Sequence, residues 1–199
     1  MVSDRTPQGW TPRGWSAPEG STARGSQLTW SEMLKNSTFW LMFVTFAFAA
    51  ASGTMMVASL ASITQYQLVG AFSDTTALAA FAAIIVSIST LSNFVGRIVI
   101  GAVFDKLGGY LSLFIIFAMT MAAMAGLALS GESVVAFTVS VIILGFAFGG
   151  VLVVFPPLTS ANFGVTNLGI NYGIMFVGYA VGGFIGPRLA TTLFTEENG

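Results

Sequence analysis

Of the 199 residues, only 8% are charged and 55% are hydrophobic, where a soluble domain carries about 25% charged residues, so a water-soluble globular protein is excluded. No His and no Cys are present, which removes disulfides, thiol nucleophiles, the Ser-His-Asp triad and metal or haem ligation through those residues. A net charge of −1 leaves no electrostatic footprint for a nucleic-acid partner.

The first 36 residues are rich in Pro, Gly and Ser and hold a near-repeat, Gly9-Trp10-Thr11-Pro12 and Gly14-Trp15-Ser16-Ala17-Pro18. This segment has too little apolar area to fold alone and reads as a cytoplasmic linker. Its tryptophans suit the membrane interface. Leu28 to Lys35 (LTWSEMLK) predicts a short amphipathic helix leading into the membrane; a plain tether is the alternative.

A spanning helix needs about 20 mainly apolar residues. Charge-free stretches predict five, at about 38–65, 75–104, 110–130, 133–155 and 169–194, within a bundle of residues 37–195 and followed by a tail of 196–199. The longest stretch, Ser133 to Pro187, is too long for one helix. Pro156-Pro157 and the polar run Thr159 to Asn162 are expected to end its first half, because proline removes a donor and clashes with the preceding turn. A signal peptide does not fit five such segments. Short loops on the cytoplasmic side carry the excess of Lys and Arg. Placing the N-terminus inside gives the inner segments Arg5, Arg13, Arg24, Lys35 and Lys106, and leaves Arg188 outside.

Charge within the hydrocarbon is expensive and marks function by default. Arg97 is the clear case, eight residues before Asp105. Ser89, Asn93, Arg97, Gly101 and Asp105 recur at steps of four and form a polar stripe on one side of the second span. Such a stripe faces the protein interior or water. Arg97 either grips a carboxylate with two parallel hydrogen bonds, with Asn93 beside it, or snorkels inward and pairs with Asp105.

Small residues recur at four-residue spacing: Ala118, Ala122 and Gly126 on the third span, Gly145 and Gly149 on the fourth, and Gly178, Gly182 and Gly186 on the fifth. They suit close helix contact, or faces along which helices slide. Tyr172 and Tyr179 share one face of the fifth span and offer hydroxyls either to a substrate or to helix contacts. No Asp or Glu lies mid-span, so this segment has no proton relay of its own. Without paired carboxylates, intramembrane Lys or a metal-ligand cluster, the sequence predicts no enzyme, no catalytic residue, no metal and no cofactor.

Gly101-Ala-Val-Phe-Asp105-Lys106-Leu-Gly108 resembles the loop signature of the major facilitator superfamily. PQGWTPRGW and LTWSEMLKNSTFW are similar to the central linker and seventh helix of its oxalate:formate antiporter family. SNFVGRIVIGAVFDKLG is similar to that family's eighth helix and following loop, and NFGVTNLGINYGIMF with GGFIGP to its eleventh helix. The resemblance is colinear and covers nearly the whole chain. It implies an all-α membrane fold in which the five spans are helices seven to eleven of a twelve-helix carrier. It also implies alternating access for small organic anions such as formate, oxalate or lactate. Gly101, Asp105, Lys106 and Gly108 then form a cytoplasmic gating motif, although Gly109 and Tyr110 stand where two basic residues are common.

In the oxalate-handling members, the resemblance implies that basic residues on the eighth and eleventh helices hold the two carboxylates. The first falls on Arg97. The second falls at or beside Tyr179, which is not basic, and a single arginine suits a monocarboxylate better. The chain is expected to be a fragment, or a half that pairs with a missing N-terminal six-helix half, in a bacterial inner membrane. The alternative is a small helical scaffold or partner subunit without transport activity.

Overall fold

The computed structural model describes residues 27–197, with side chains placed as far as Thr192. The tryptophan near-repeat, Arg5, Arg13, Arg24 and residues 198–199 lie outside the described residues. In chain order the elements are α1 (Trp30–Leu34), α2 (Ser37–Gln67), a 3-10 turn (Val69–Ala71), α3 (Thr75–Leu107), α4 (Gly109–Leu129), α5 (Val134–Phe163) and α6 (Leu168–Glu197). Helices α2 to α6 are each long and apolar enough to cross a membrane. This is an all-α membrane fold. At 1.5 Å per residue the longest helices exceed the ~30 Å hydrocarbon layer, so they tilt or project beyond it.

The helices begin where side chains replace missing backbone partners. Asn36 Oδ1 accepts from Thr38 N–H at 2.9 Å at the start of α2, and Asp74 Oδ1 accepts from Thr76 N–H at 2.9 Å at the start of α3. Gly108, at φ +80°, is the whole connection between α3 and α4. That left-handed φ is open to glycine and strained for other residues.

One boundary differs from expectation. Pro156 and Pro157 do not end the fourth span: α5 continues through both to Phe163. Two backbone donors are lost, but ending the helix there would leave far more groups unpaired in hydrocarbon. The helix stops instead at Gly164, where φ is +89° and its N–H reaches Ser160 O at 2.9 Å. The polar run Thr159 to Asn162 is therefore helical. Thr159 Oγ1 donates to Phe155 O at 2.7 Å and Asn162 Nδ2 to Leu158 O at 2.8 Å. At the other end of the chain, α6 runs on to Glu197, into the stretch read as a tail.

Helix α5 is central: 56% of its most apolar window is buried, against 22–33% in the other spans. Two pairs pack most extensively, α2 with α6 and α3 with α5, and α4 lies on α5. Glycine makes both pairs possible. A Cβ added at Gly178 would lie 2.9 Å from the Phe43 carbonyl oxygen, and at Gly182 and Gly186 it would strike the carbonyls of Ala47 and Ala51. Both helices thus advance in steps of four. Between α3 and α5 the fit is reciprocal. Gly145 and Gly149 press on the carbonyls of Ser89 and Asn93, while Gly96 presses on that of Phe146. Contacts this close place Cα–H groups on carbonyl oxygens and supply packing that lipid does not. The third-span series behaves differently: Ala118 and Ala122 are exposed, and only Gly126 packs, against Ser140. An aromatic column fills the space between α2, α5 and α6, with Phe46 stacked on Phe155 at 3.9 Å and Phe39 edge-on to Phe163 at 6.4 Å.

Gly182→Leu should separate α2 from α6 at a cost of about 1–3 kcal/mol or more, read as a lower unfolding midpoint in detergent. Gly173→Leu is the control, because nothing lies within 4 Å of a Cβ there. An equal effect of the two substitutions would contradict the glycine–carbonyl account.

Candidate functional site: a cavity at Arg97

The glycine-led approach of α5 to α3 fixes which face of α3 remains open. Ser92 turns inward, its Oγ donating to Ile142 O at 2.6 Å. Arg97, one turn further on, is exposed. It opens on a cavity of about 220 Å³ framed by α2, α3 and α5. The polar lining, Ser89, Thr90, Asn93 and Arg97, comes entirely from α3, and the rest is largely apolar. Arg97 Nε donates to Asn93 Oδ1 at 3.3 Å. Among the described residues this is its one hydrogen-bond partner, and no ion pair joins it to Asp105. Two helical turns, ~12 Å, separate those residues along the axis. The terminal guanidinium nitrogens are therefore left to face the cavity.

Neither tyrosine lines this cavity. Tyr179 lies within electrostatic range of Arg97 and packs against Phe46 and Phe176, with ring centroids at 5.4 and 5.0 Å. Tyr172 lies two turns nearer the α5–α6 loop, against Phe176 at 5.8 Å. The loop motif is also separate from the cavity. Asp105 and Lys106 are exposed at the end of α3, Gly108 makes the turn, and a Cβ at Gly101 would sit 3.4 Å from Val153. Tyr110 is tied to the end of α5, its hydroxyl donating to Asn162 Oδ1 at 2.8 Å. Gly145 and Gly149 contribute by bringing the α5 wall against α3; Gly178, Gly182 and Gly186 act on the α2–α6 side.

A second cluster, not foreseen from the sequence, lies at the α3–α4 turn end of the bundle. The segment before α2 is strapped across the α5–α6 loop. Leu28 N–H donates to Phe163 O at 3.0 Å, and the Leu28 carbonyl accepts from Asn167 and Asn171 Nδ2 at 3.2 and 3.0 Å. Gln27 Oε1 accepts from Thr166 N–H at 2.9 Å, and Met33 is fully buried. The expected helix over Leu28–Lys35 is shorter, Trp30–Leu34. Glu32 accepts from the Thr29 hydroxyl at 2.7 Å and its N–H at 2.8 Å. The Thr29 side chain first, then its backbone, holds the Glu32 carboxyl below the ordinary value of 4.5.

Fold and cavity define a polytopic helical membrane protein with a cation facing its interior space. The chain belongs to the major facilitator superfamily of membrane transporters, which matches residues 2–187. It is 32% identical over 154 residues to YhjX, an uncharacterized MFS-type transporter of Escherichia coli (strain K12), over 77% of this chain and 37% of that protein. It is 29% identical over 168 residues to the oxalate:formate antiporter of Oxalobacter formigenes, over 83% of this chain and 38% of that protein. A 74-residue match at 36% identity to the riboflavin transporter RibJ of Trypanosoma brucei brucei covers 37% of this chain and 14% of that one. The chain thus spans less than two-fifths of the length of these relatives.

Asn171→Ala should loosen the strap, raising hydrogen exchange at the Leu28 amide about fivefold for one lost hydrogen bond of ~1 kcal/mol. Because the Glu32 carboxyl is held low, its contribution is present at pH above 4.5 and is lost as pH falls through the lowered value. Strap opening should accelerate over that acid range, and Glu32→Gln should abolish the pH dependence.

Proposed function

We propose that this chain is the C-terminal half of a major facilitator carrier of small organic anions, with Arg97 binding a substrate carboxylate. The carrying observation is the exposed Arg97 guanidinium on a cavity where its recorded partner is a neutral amide. A guanidinium in a low-dielectric cleft binds a carboxylate bidentately, and neutralising the anion lowers its cost of entry into the membrane. Asn93 orients Arg97, and Tyr179 on α6 lies within electrostatic range of it. The oxalate:formate antiporter similarity supports the substrate class.

The partner in this reading is an N-terminal six-helix half that forms the opposing wall. The two halves rock about the site to give alternating access. Gly101, Asp105, Lys106 and Gly108 form the gating turn at the cytoplasmic face. The N-terminal linker is cytoplasmic, and the membrane is a bacterial inner membrane.

The test is uptake of labelled formate, oxalate, lactate, pyruvate and butyrate by the complete carrier in proteoliposomes. Arg97→Ala should reduce uptake of the transported acid about 100-fold, for two charge-assisted hydrogen bonds of ~1.5 kcal/mol each. Arg97→Lys keeps the charge but not the paired geometry and should cost about tenfold. Uptake by the alanine variant at the parent rate would sink the anion site.

A further inference from the structure

The cavity beside Arg97 has a shape and a polarity gradient of its own. It follows α3 from Arg97 back to Val86, eleven residues or ~16 Å along the helix. Its charge lies at one end, where Arg97 and Asn93 stand, while the Ser89 and Thr90 hydroxyls lie nearer Val86. The Thr90 hydroxyl is turned onto its own helix, donating to Val86 O at 2.9 Å, so it offers the cavity little beyond a methyl face. Ser89 adds one hydroxyl on that side, and the other walls are Met56, Leu60, Val86, Val141 and Leu144, with no cation among them.

We infer that the substrate is an amphipathic monocarboxylate, with its carboxylate on Arg97 and an apolar tail of several carbons lying along α3 towards Val86. This inference rests on the anion reading of Arg97 and narrows it. A second carboxylate at the far end would lose its hydration among largely aliphatic side chains, with no cation and at most one hydroxyl to meet it, which disfavours a dicarboxylate there. Formate would grip Arg97 but leave most of the apolar channel unused. Each buried methylene adds ~0.8 kcal/mol, about fourfold in affinity, until the channel is full.

The experiment is ligand-induced thermal stabilisation of the complete carrier in nanodiscs at pH 8. The probes are formate, acetate, butyrate, hexanoate, octanoate and oxalate, with hexanol as the uncharged control. The expected result is a half-effect concentration falling about fourfold per methylene from acetate, levelling off once the tail reaches Val86, with no effect of hexanol. Arg97→Ala should abolish the series. Val86→Phe, which shortens the channel, should leave acetate unchanged and move the plateau to shorter acids. If formate or oxalate acts at or below the concentration of hexanoate and still requires Arg97, the tail channel is wrong while the anion site stands. If no acid stabilises the parent more than the Arg97→Ala variant, both fall. The parent series decides the matter even where Val86→Phe fails to fold.

Discussion

The bundle depends on backbone touching backbone. In lipid there is no hydrophobic drive to bring two apolar helices together, so association relies on close packing and weak polar contact. Gly178, Gly182 and Gly186 provide this for α6 on α2, and Gly96, Gly145 and Gly149 provide it for α3 with α5. Everything else is arranged around these two seams. With α3 pressed onto α5 through one face, its Asn93–Arg97 edge is turned towards open space. The aromatic column of Phe46 and Phe155 fills the wider gap, where side chains rather than backbones meet. The cavity is the volume that neither device closes.

Polarity then divides the labour along α3. One helix supplies every hydrogen-bonding side chain of the cavity, and its neighbours supply hydrocarbon. Such a division suits a ligand with one charged end. The charge is met by a single fixed cation, while the remainder is selected by volume and by the absence of partners for polar groups. Specificity of this kind comes as much from what the walls refuse as from what they bind.

The spans were legible because a bilayer enforces long apolar runs, and Arg97 because an ion amid them is conspicuous. Less could be read where the outcome depended on partners. The rule that proline ends a helix is framed for chains with water available to rescue the backbone; at Pro156-Pro157 the hydrocarbon made continuation the better choice. Glycine spacing announced close contact but not which carbonyls would be met, and the alanines of the third span had the same spacing without the contact. Met56, Leu60 and Leu144 look like any other membrane-embedded residues, so the cavity wall had no signature. The strap joins Leu28 to Asn171 across 143 positions, a pairing that no local pattern encodes.

Gly108 has a mechanical consequence. Because α3 ends at Leu107 and α4 begins at Gly109, the connection has no slack. Any axial slide or rotation of α3 is handed directly to the first turn of α4. That turn is itself fastened to α5 through Tyr110 and Asn162, and α5 is already seated on α3. At this end of the bundle the three helices are therefore joined in a closed ring of contacts. Lengthening the chain at this glycine is the simplest way to open that ring.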